Sequence, residues 1–162
     1  MRNFLGLDLG TYCGWARGIA SGICVMTASG RFDLSDTKAD GKVPDPSRRN
    51  VKLKLALEPL LQAGVEMVFF EKVMAHKGVA AAHAYGGFLS AMHEICAQYD
   101  VPVEGIHVGT IKKFATGSGR ASKTAMVDAA IRAGINVDTE DQADAYWTLR
   151  CGMARYNIPA AT

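Results

Sequence analysis

The sequence lacks the cysteine and histidine clusters that hold structural zinc. Its four cysteines, Cys13, Cys24, Cys96 and Cys151, form no Cys-x-x-Cys pair, and no group of cysteine and histidine has the spacing of a zinc site. We therefore expect the cysteines to be small, mostly buried apolar residues in a reducing compartment.

Long apolar runs and a strong charge of one sign are also missing. The apolar stretches are strand-sized and far short of a membrane span, and residues 1–5 open into a strand-like run without a signal-peptide layout. We expect a cytoplasmic protein with no membrane partner. The 18 lysines and arginines exceed the 16 acidic residues by a formal charge of +2, which does not by itself indicate nucleic acid binding.

Length and composition are typical of a globular protein with a single core. The chain has 162 residues, of which 49% are hydrophobic and 21% charged. That length is ample for one core and too short for two full ones, so we expect residues 1–162 to form one domain.

The apolar periodicity predicts a mixed sheet flanked by helices. Strands are expected at 4–9, 15–20, 23–32, 66–70 and 101–108. Helices are expected from a Ser47 cap to about Gly64, at 79–99, from a Ser122 cap to Gly134, and from a Thr139 cap to about Arg155. Residues 34–46 are expected to form a surface loop, and Pro59 argues against a continuous first helix. The fold class is therefore α/β with a five-stranded mixed sheet.

Four acidic residues stand out by their positions. Asp8 interrupts the apolar run 4–9, and Glu71 ends a second apolar strand. Asp141 and Asp144 are three residues apart near the start of the last helix, which puts both on one helical face. If the strands that hold Asp8 and Glu71 are parallel neighbours, both acids reach the same edge of the sheet.

Each acid also has a simpler explanation. A glutamate at a strand end is often only solvated, and Asp141 in a first helical turn complements the helix dipole. Asp8 inside a buried strand and Asp144 on an otherwise apolar helix face are harder to explain in this way. Convergent carboxylates without Cys or His favour Mg²⁺ or Mn²⁺, and a pair of such ions can promote phosphodiester hydrolysis. The pattern indicates a metal-dependent phosphoryl-transfer site.

Basic residues gather in three segments. They are Arg48, Arg49, Lys52 and Lys54; Lys72, His76 and Lys77; and Lys112, Lys113, Arg120 and Lys123. The first segment is equally well explained as a solvated helix face. The other two adjoin the acids, where phosphates must be held. The turn at 116–119 could accept a phosphate on its backbone N–H groups, although alone it would indicate only a flexible turn.

Four motifs resemble those of the RuvC-type Holliday-junction resolvases of the ribonuclease H-like superfamily. They are Gly6-Leu7-Asp8-Leu9-Gly10, then Phe70-Glu71-Lys72-Val73, then the basic segment Ile111-Lys112-Lys113 through Gly117-Ser118-Gly119 to Lys123, and Asp141-Gln142-Ala143-Asp144-Ala145. The resemblance implies a ribonuclease H-like fold. It also implies a homodimer that cuts four-way DNA junctions by paired nicks with Mg²⁺, which Mn²⁺ is expected to replace.

The resemblance assigns roles to individual residues. The metal-binding catalytic acids would be Asp8, Glu71, Asp141 and Asp144, and the catalytic basic residues would be Lys112 and Lys123. DNA contacts would come from Lys72, Met74, His76, Lys77, Lys112, Lys113, Ser118, Arg120 and Lys123. Met74 stands where some relatives carry an aromatic wedge. This departure and the long loop at 34–46 suit a bacteriophage enzyme that acts in the host cytoplasm.

Other functions stay open. A nuclease of related fold could act on other branched DNA, flaps or RNA–DNA hybrids. The run 6–11 also resembles the first phosphate motif of actin-like and sugar-kinase-like ATPases, but 162 residues leave no room for the second lobe that encloses ATP. A non-catalytic junction-binding module is disfavoured because all four acids are present.

The apolar stripe of the helix at 79–99 is a candidate dimer interface. Tyr85, Phe88 and Met92 supply apolar area, and Gly86 and Gly87 permit close approach. The same stripe is at least as well explained by packing against the sheet.

Overall fold

Residues 2–36, 45–76 and 78–159 are described by a computed structural model, with the side chain of Cys24 excepted. Within them the elements are β1 (Arg2–Asp8), β2 (Tyr12–Ser21), β3 (Ile23–Asp33), α1 (Pro46–Gln62), β4 (Met67–Lys72), α2 (Val79–Gln98), β5 (Val103–His107), α3 (Val108–Thr116), α4 (Lys123–Arg132) and α5 (Glu140–Arg155). Most of the predicted loop at 34–46 lies outside these ranges.

The five strands form one mixed sheet in the order β3-β2-β1-β4-β5. The hairpin-connected strands β1, β2 and β3 pair antiparallel, and β4 pairs parallel with both β1 and β5. The predicted α/β class, the mixed sheet and the parallel pairing of the strands that hold Asp8 and Glu71 are therefore confirmed.

Each face of the sheet is covered by helices, because alternate side chains point to opposite sides. Leu5 and Leu7 of β1 belong to a buried cluster that includes residues of α1 and α2. Phe4 of β1 and Phe69 of β4 belong to a second buried cluster, with residues of α3, α4 and α5. None of the helices in the described ranges is long and apolar enough to cross a membrane.

Two glycines allow α5 to lie directly on the sheet. A Cβ atom on Gly6 would lie 2.5 Å from the main-chain oxygen of Ala145, and one on Gly14 would lie 1.9 Å from that of Asp141. No side chain fits in such gaps. The absence of side chains at these positions therefore brings the first turns of α5 onto β1 and β2.

The observed α1 differs from the predicted first helix in its N-terminal cap and in its continuity at Pro59. Its cap is Asp45, whose carboxylate accepts a hydrogen bond from Ser47 N at 2.9 Å, so the prediction that Ser47 caps the helix is wrong. The helix also continues through Pro59. Pro59 is exposed, so water can satisfy the carbonyl that loses its helical partner.

The segment after β5 forms a helix that the sequence pattern did not predict. The strand ends at His107, whose Nδ1 accepts a hydrogen bond from Gly109 N at 3.0 Å and so caps α3. The helix ends at Gly117, which has a φ of 82°. At nine residues α3 is short, and it follows β5 without a connecting loop, so its pattern is not separated in the sequence from the strand and the turn around it.

The apolar stripe of α2 packs inside the protein. Phe88 and Met92 are 2% and 0% exposed in the cluster shared with α1. A Cβ on Gly87 would lie 3.0 Å from Asn50 Oδ1 of α1, whereas one on Gly86 would meet nothing within 4 Å. Phe88, Met92 and Gly87 therefore pack within the chain, whereas the open side of Gly86 leaves the dimer interface on this helix a prediction.

Candidate active site

Asp8 and Glu71 lie side by side at one edge of the sheet. β1 and β4 run parallel with Leu7 paired to Phe70, so the next residue of each strand reaches the same edge. Leu7 and Phe70 pack towards α1 and α2. Because side chains alternate, the carboxylates of Asp8 and Glu71 point to the other face, which α5 covers.

Asp141 and Asp144 reach this edge from the first turns of α5. The helix begins with a capping box, in which the Thr139 hydroxyl accepts a hydrogen bond from Gln142 N at 3.2 Å and the Gln142 side chain accepts one from Thr139 N at 3.0 Å. Asp144 is 7% exposed, and the side chain of Asp141 is 21% exposed. The helix start is thus fixed where it delivers both acids.

The four acids influence one another electrostatically, and we call Asp8, Glu71, Asp141 and Asp144 the acidic site. Burial, and then the charges of Glu71 and Asp144, raise the pKa of Asp8 well above its usual range. Burial followed by the charge of Asp144 raises the pKa of Glu71 to about 7. Burial also raises the pKa of Asp144 to about 6. The protein alone does not fully compensate these carboxylates.

Two lysines lie close to the acidic site. Lys123 places Nζ 3.9 Å from Asp144 Oδ2 and 3.6 Å from Glu140 Oε2. Lys112 of α3 lowers the pKa of both Glu71 and Asp144. Burial lowers the pKa of Lys123, but the surrounding carboxylates, with Asp144 first, outweigh it and leave that pKa raised. Both lysines chosen from the sequence therefore adjoin the acids.

The chemistry of the acidic site fits a divalent cation. Its donors are carboxylate oxygens, the hard ligands that Mg²⁺ and Mn²⁺ prefer. Burial and then the neighbouring carboxylates raise the pKa of Asp8 and of Glu71, and a bound cation would favour the charged form of both. In the described part of the chain, no three Asp, Glu, His or Cys side chains are arranged as a ready-made metal site. The acids are neighbours, but they do not form a preformed coordination sphere.

The segment that follows Glu71 is tied to α2. The Tyr85 hydroxyl donates a hydrogen bond to the Glu71 main-chain oxygen at 2.9 Å, and it accepts one from Val73 N at 3.3 Å. The His76 ring centre lies 4.8 Å from that of Tyr85. Between these anchors Met74 is 66% exposed. Met74 is therefore presented to solvent on a segment held at both ends.

The other predicted DNA contacts are spread over the surface around the acidic site. Lys72 follows Glu71 at the end of β4, and Lys113, Ser118 and Arg120 belong to α3 and the turn after it; all four are exposed. Lys77 lies outside the described residues.

The turn after α3 uses its amides internally. Gly117 N donates to Lys113 O at 2.9 Å, Ser118 N to Thr116 Oγ1 at 3.2 Å, and Arg120 N to Ser118 Oγ at 3.4 Å. These bonds close the end of the helix. The prediction that residues 116–119 offer their amides to a phosphate is therefore wrong for Gly117 and Ser118.

Two residues that the sequence analysis did not select border the acidic site. Arg31 of β3 places Nη1 3.6 Å from Asp141 Oδ2, and its guanidinium carbon lies 4.7 Å from the ring centre of Tyr12. Both residues lie in strands of ordinary alternation. Only the pairing of β2 with β3, which sets Arg31 opposite Gly14, reveals their position.

Comparisons with known proteins match this chain by structure and not by sequence. No family model matches it, and no curated protein matches its sequence. Thermus thermophilus RuvC has a TM-score of 0.75 at 19% identity, with 96% of each chain covered. The same protein in complex with a Holliday junction substrate has a TM-score of 0.76 at 17% identity, with 97% of each chain covered.

A viral protein shares the fold as well. A Fowlpox virus resolvase, solved with its substrate Holliday junction DNA, has a TM-score of 0.61 at 14% identity. The match covers 95% of this chain and 98% of the resolvase. Together these likenesses confirm the ribonuclease H-like, RuvC-type fold that the four motifs predicted.

Proposed function

We propose that this chain is a metal-dependent endonuclease that cuts four-way DNA junctions by paired nicks. The observation that carries the proposal is the convergence of the acidic site at the ends of β1 and β4. The site lies in a fold shared along nearly the whole chain with RuvC and with a resolvase solved on a Holliday junction.

The acidic site is the cation-binding part of this proposal. Its four carboxylates hold Mg²⁺, for which Mn²⁺ substitutes. When bound, a pair of such cations activates water and stabilises the leaving oxygen of a phosphodiester. The protein positions the carboxylates on a strand pair and a capped helix, and it excludes bulk water from Asp144, which is buried.

Basic residues hold the DNA against the acids. Lys112 and Lys123 lie beside Glu71 and Asp144, where they bind the phosphate that is cut. Contacts further out come from Lys72, Met74, His76, Lys77, Lys113, Ser118 and Arg120. Met74 is presented to solvent, so it can insert at the centre of a junction, although it stacks less well than an aromatic ring.

The active species in this proposal is a two-fold homodimer. A four-way junction presents two equivalent strands, and one chain supplies one acidic site. A two-fold axis sets two such sites at a fixed separation. Sedimentation at micromolar concentration, with and without junction DNA, tests this part. A monomer in both conditions that still makes paired nicks would exclude the dimer.

A substrate panel tests the function itself. The protein is incubated with Mg²⁺ and end-labelled four-way junctions, flaps, RNA–DNA hybrids and linear duplexes, with Asp8→Asn as the inactive control. We expect symmetric nicks in the junction and little cutting of the linear duplex. Preferential cutting of flaps or hybrids would instead establish a related nuclease with another substrate. No cutting of any substrate would refute the nuclease.

A further inference from the structure

We propose that Arg31, oriented by Tyr12, binds the DNA backbone where β3 borders the acidic site at Asp141. This inference rests on the proposed nuclease function. Arg31 would give the DNA strand that crosses the acidic site a second contact with the protein.

The pairing of β2 with β3 brings Arg31 to the acidic site. Arg31 is paired with Gly14, and a Cβ on Gly14 would lie 1.9 Å from the main-chain oxygen of Asp141. The start of α5 therefore lies directly on β2 at this point. From the adjacent strand, the Arg31 side chain reaches the Asp141 carboxylate, with 3.6 Å between Nη1 and Oδ2.

The contact with Asp141 leaves most of the Arg31 guanidinium available. The 3.6 Å separation is longer than a direct hydrogen bond, and the Arg31 side chain is 42% exposed. An ion pair with this exposure contributes little to folding. The guanidinium has five N–H donors in a planar fork that matches phosphate oxygens. A phosphate near Asp141 would therefore find donors already in place.

Tyr12 orients this guanidinium. The Arg31 guanidinium carbon lies 4.7 Å from the ring centre of Tyr12, within the range of a cation–π contact. Tyr12 is itself 47% exposed. Because this contact is exposed, it does not stabilise a buried core. It restricts the Arg31 side chain before DNA binds, so less side-chain entropy is lost when the guanidinium binds a phosphate.

The arrangement places positive charge on both sides of the acids. Arg31 is on β3 at one edge of the sheet, and α3, which carries Lys112, follows β5 at the other edge. Four strand spacings separate these edges, about 19 Å. A DNA strand held at both flanks would cross the acidic site between them. Arg31 would add a contact from the β3 side to those of the two lysines.

The experiment uses Asp141→Asn as the parent protein. This change removes the negative charge that Arg31 faces. An Arg31 substitution made in this parent therefore cannot change DNA binding by unmasking the charge of Asp141. Arg31→Gln and Arg31→Lys are made in this parent. The matched control is Arg2→Gln, because Arg2 also lies over a ring, 4.9 Å from the centre of Phe4, and pairs with a carboxylate, 3.5 Å from Glu66.

Arg2 lies at the opposite end of its strand from the acidic site, about 20 Å away along β1. We measure the dissociation constant for a four-way junction without divalent cations as a function of KCl. Arg31→Gln should weaken binding about 10-fold and reduce the slope of log K against log salt by about 0.9, the value for one lost phosphate contact. Arg31→Lys should keep the slope, and Arg2→Gln should change neither quantity.

The other outcomes overturn the inference. If Arg31→Gln behaves like Arg2→Gln in the parent, Arg31 only neutralises Asp141. If neither the wild-type protein nor the parent binds DNA, both this inference and the proposed function fail. If the wild-type protein cuts flaps but not junctions and Arg31→Gln still lowers the salt slope on flaps, the DNA contact stands and only the junction specificity fails.

Discussion

The Tyr85 hydroxyl is bonded to the main chain of Glu71, to whose carbonyl oxygen it donates at 2.9 Å. The same hydroxyl accepts a hydrogen bond from Val73 N at 3.3 Å. Tyr85 thus fastens the end of β4 to α2 at the point where the strand delivers one of the four acids. A side chain outside the acidic site therefore helps to fix the position of Glu71.

Tyr85→Phe should slow junction cleavage about 10-fold and raise the Mg²⁺ concentration at half-maximal rate, because Glu71 loses its anchor. The free energy of unfolding should fall by about 1 kcal/mol. Tyr99→Phe is the matched control, since the Tyr99 hydroxyl donates to Glu58 Oε1 at 2.8 Å and accepts from Gln62 Nε2 at 3.1 Å. If Tyr85→Phe and Tyr99→Phe have the same cleavage rate and the same Mg²⁺ dependence, Tyr85 has a structural role only.

Asp8→Asn should abolish Mg²⁺-dependent cleavage and leave the fold and junction binding intact. The acids act as a unit, so the double variant Asp8→Asn/Asp144→Asn should be little worse than either single variant. Single-turnover rates on a junction, with binding measured in parallel, check both statements. Substantial turnover by Asp8→Asn would contradict the assignment.

The stability of the metal-free protein should fall as the pH rises. The pKa of Glu71 is raised to about 7 and that of Asp144 to about 6. Between the usual carboxyl pKa near 4 and these values, the folded protein holds protons that the unfolded chain has released. The free energy of unfolding therefore decreases through this window, and is greater at pH 5 than at pH 8.

Thermal unfolding in EDTA measures this slope. We expect a melting temperature about 5 °C higher at pH 5 than at pH 8. Mg²⁺ should recover much of the difference at pH 8, and Asp8→Asn should reduce it by removing one repelled charge. Asp128→Asn, which changes an exposed residue of α4, should leave the slope as it is. A metal-free protein that is more stable at pH 8 would contradict this prediction.

Gly14→Ala should displace the start of α5. Its Cβ would lie 1.9 Å from the main-chain oxygen of Asp141, so helix and strand must separate. We expect a loss of at least 1–3 kcal/mol in unfolding free energy, the usual range for overpacking, together with loss of cleavage. Gly86→Ala in α2 meets nothing within 4 Å and should instead stabilise the helix by about 1 kcal/mol. Full activity in Gly14→Ala would show that the acids tolerate this displacement.

Lys112→Ala and Lys123→Ala test the phosphate contacts beside the acids. Each should reduce the slope of log K against log salt by about 0.9 on duplex arms and slow cleavage without unfolding the domain. Lys54→Ala provides a control, since Lys54 pairs with Glu94 between α1 and α2. An unchanged slope and rate for both site variants would remove the two lysines from the DNA interface.

Much of the fold could be predicted because it depends on local patterns. The apolar run at 4–9 predicts β1, Gly22 separates β2 from β3, and the caps Ser122 and Thr139 mark the starts of α4 and α5. Asp8 is identified from the sequence because burying a charge in an apolar strand is costly unless the charge is paired or binds a cation. With β1 and β4 as parallel neighbours, the ends of the two strands predict that Asp8 and Glu71 lie side by side.

What the sequence analysis missed depends on contacts between distant segments. The sequence does not distinguish Gly14 from other strand glycines, because its role depends on the close approach of α5. The position of Arg31 at the acidic site depends on the register of β2 with β3. The stripe that contains Phe88 is apolar whether it packs on a sheet or on a second chain. Phe88 shares a buried cluster with β1 and α1, so this part of the stripe packs inside the chain.

The docking of α5 on β1 and β2 has a consequence for the order of folding. Asp8 comes from the first described strand and Asp144 from the last described helix, so the acidic site assembles only through a contact between segments far apart in sequence. Such contacts form late, because the entropy of closing a long loop must first be overcome. Without α5 on the sheet, Asp8 and Glu71 lack Asp141 and Asp144, and the acidic site is incomplete. The proposed nuclease activity should therefore require that α5 is docked on the sheet.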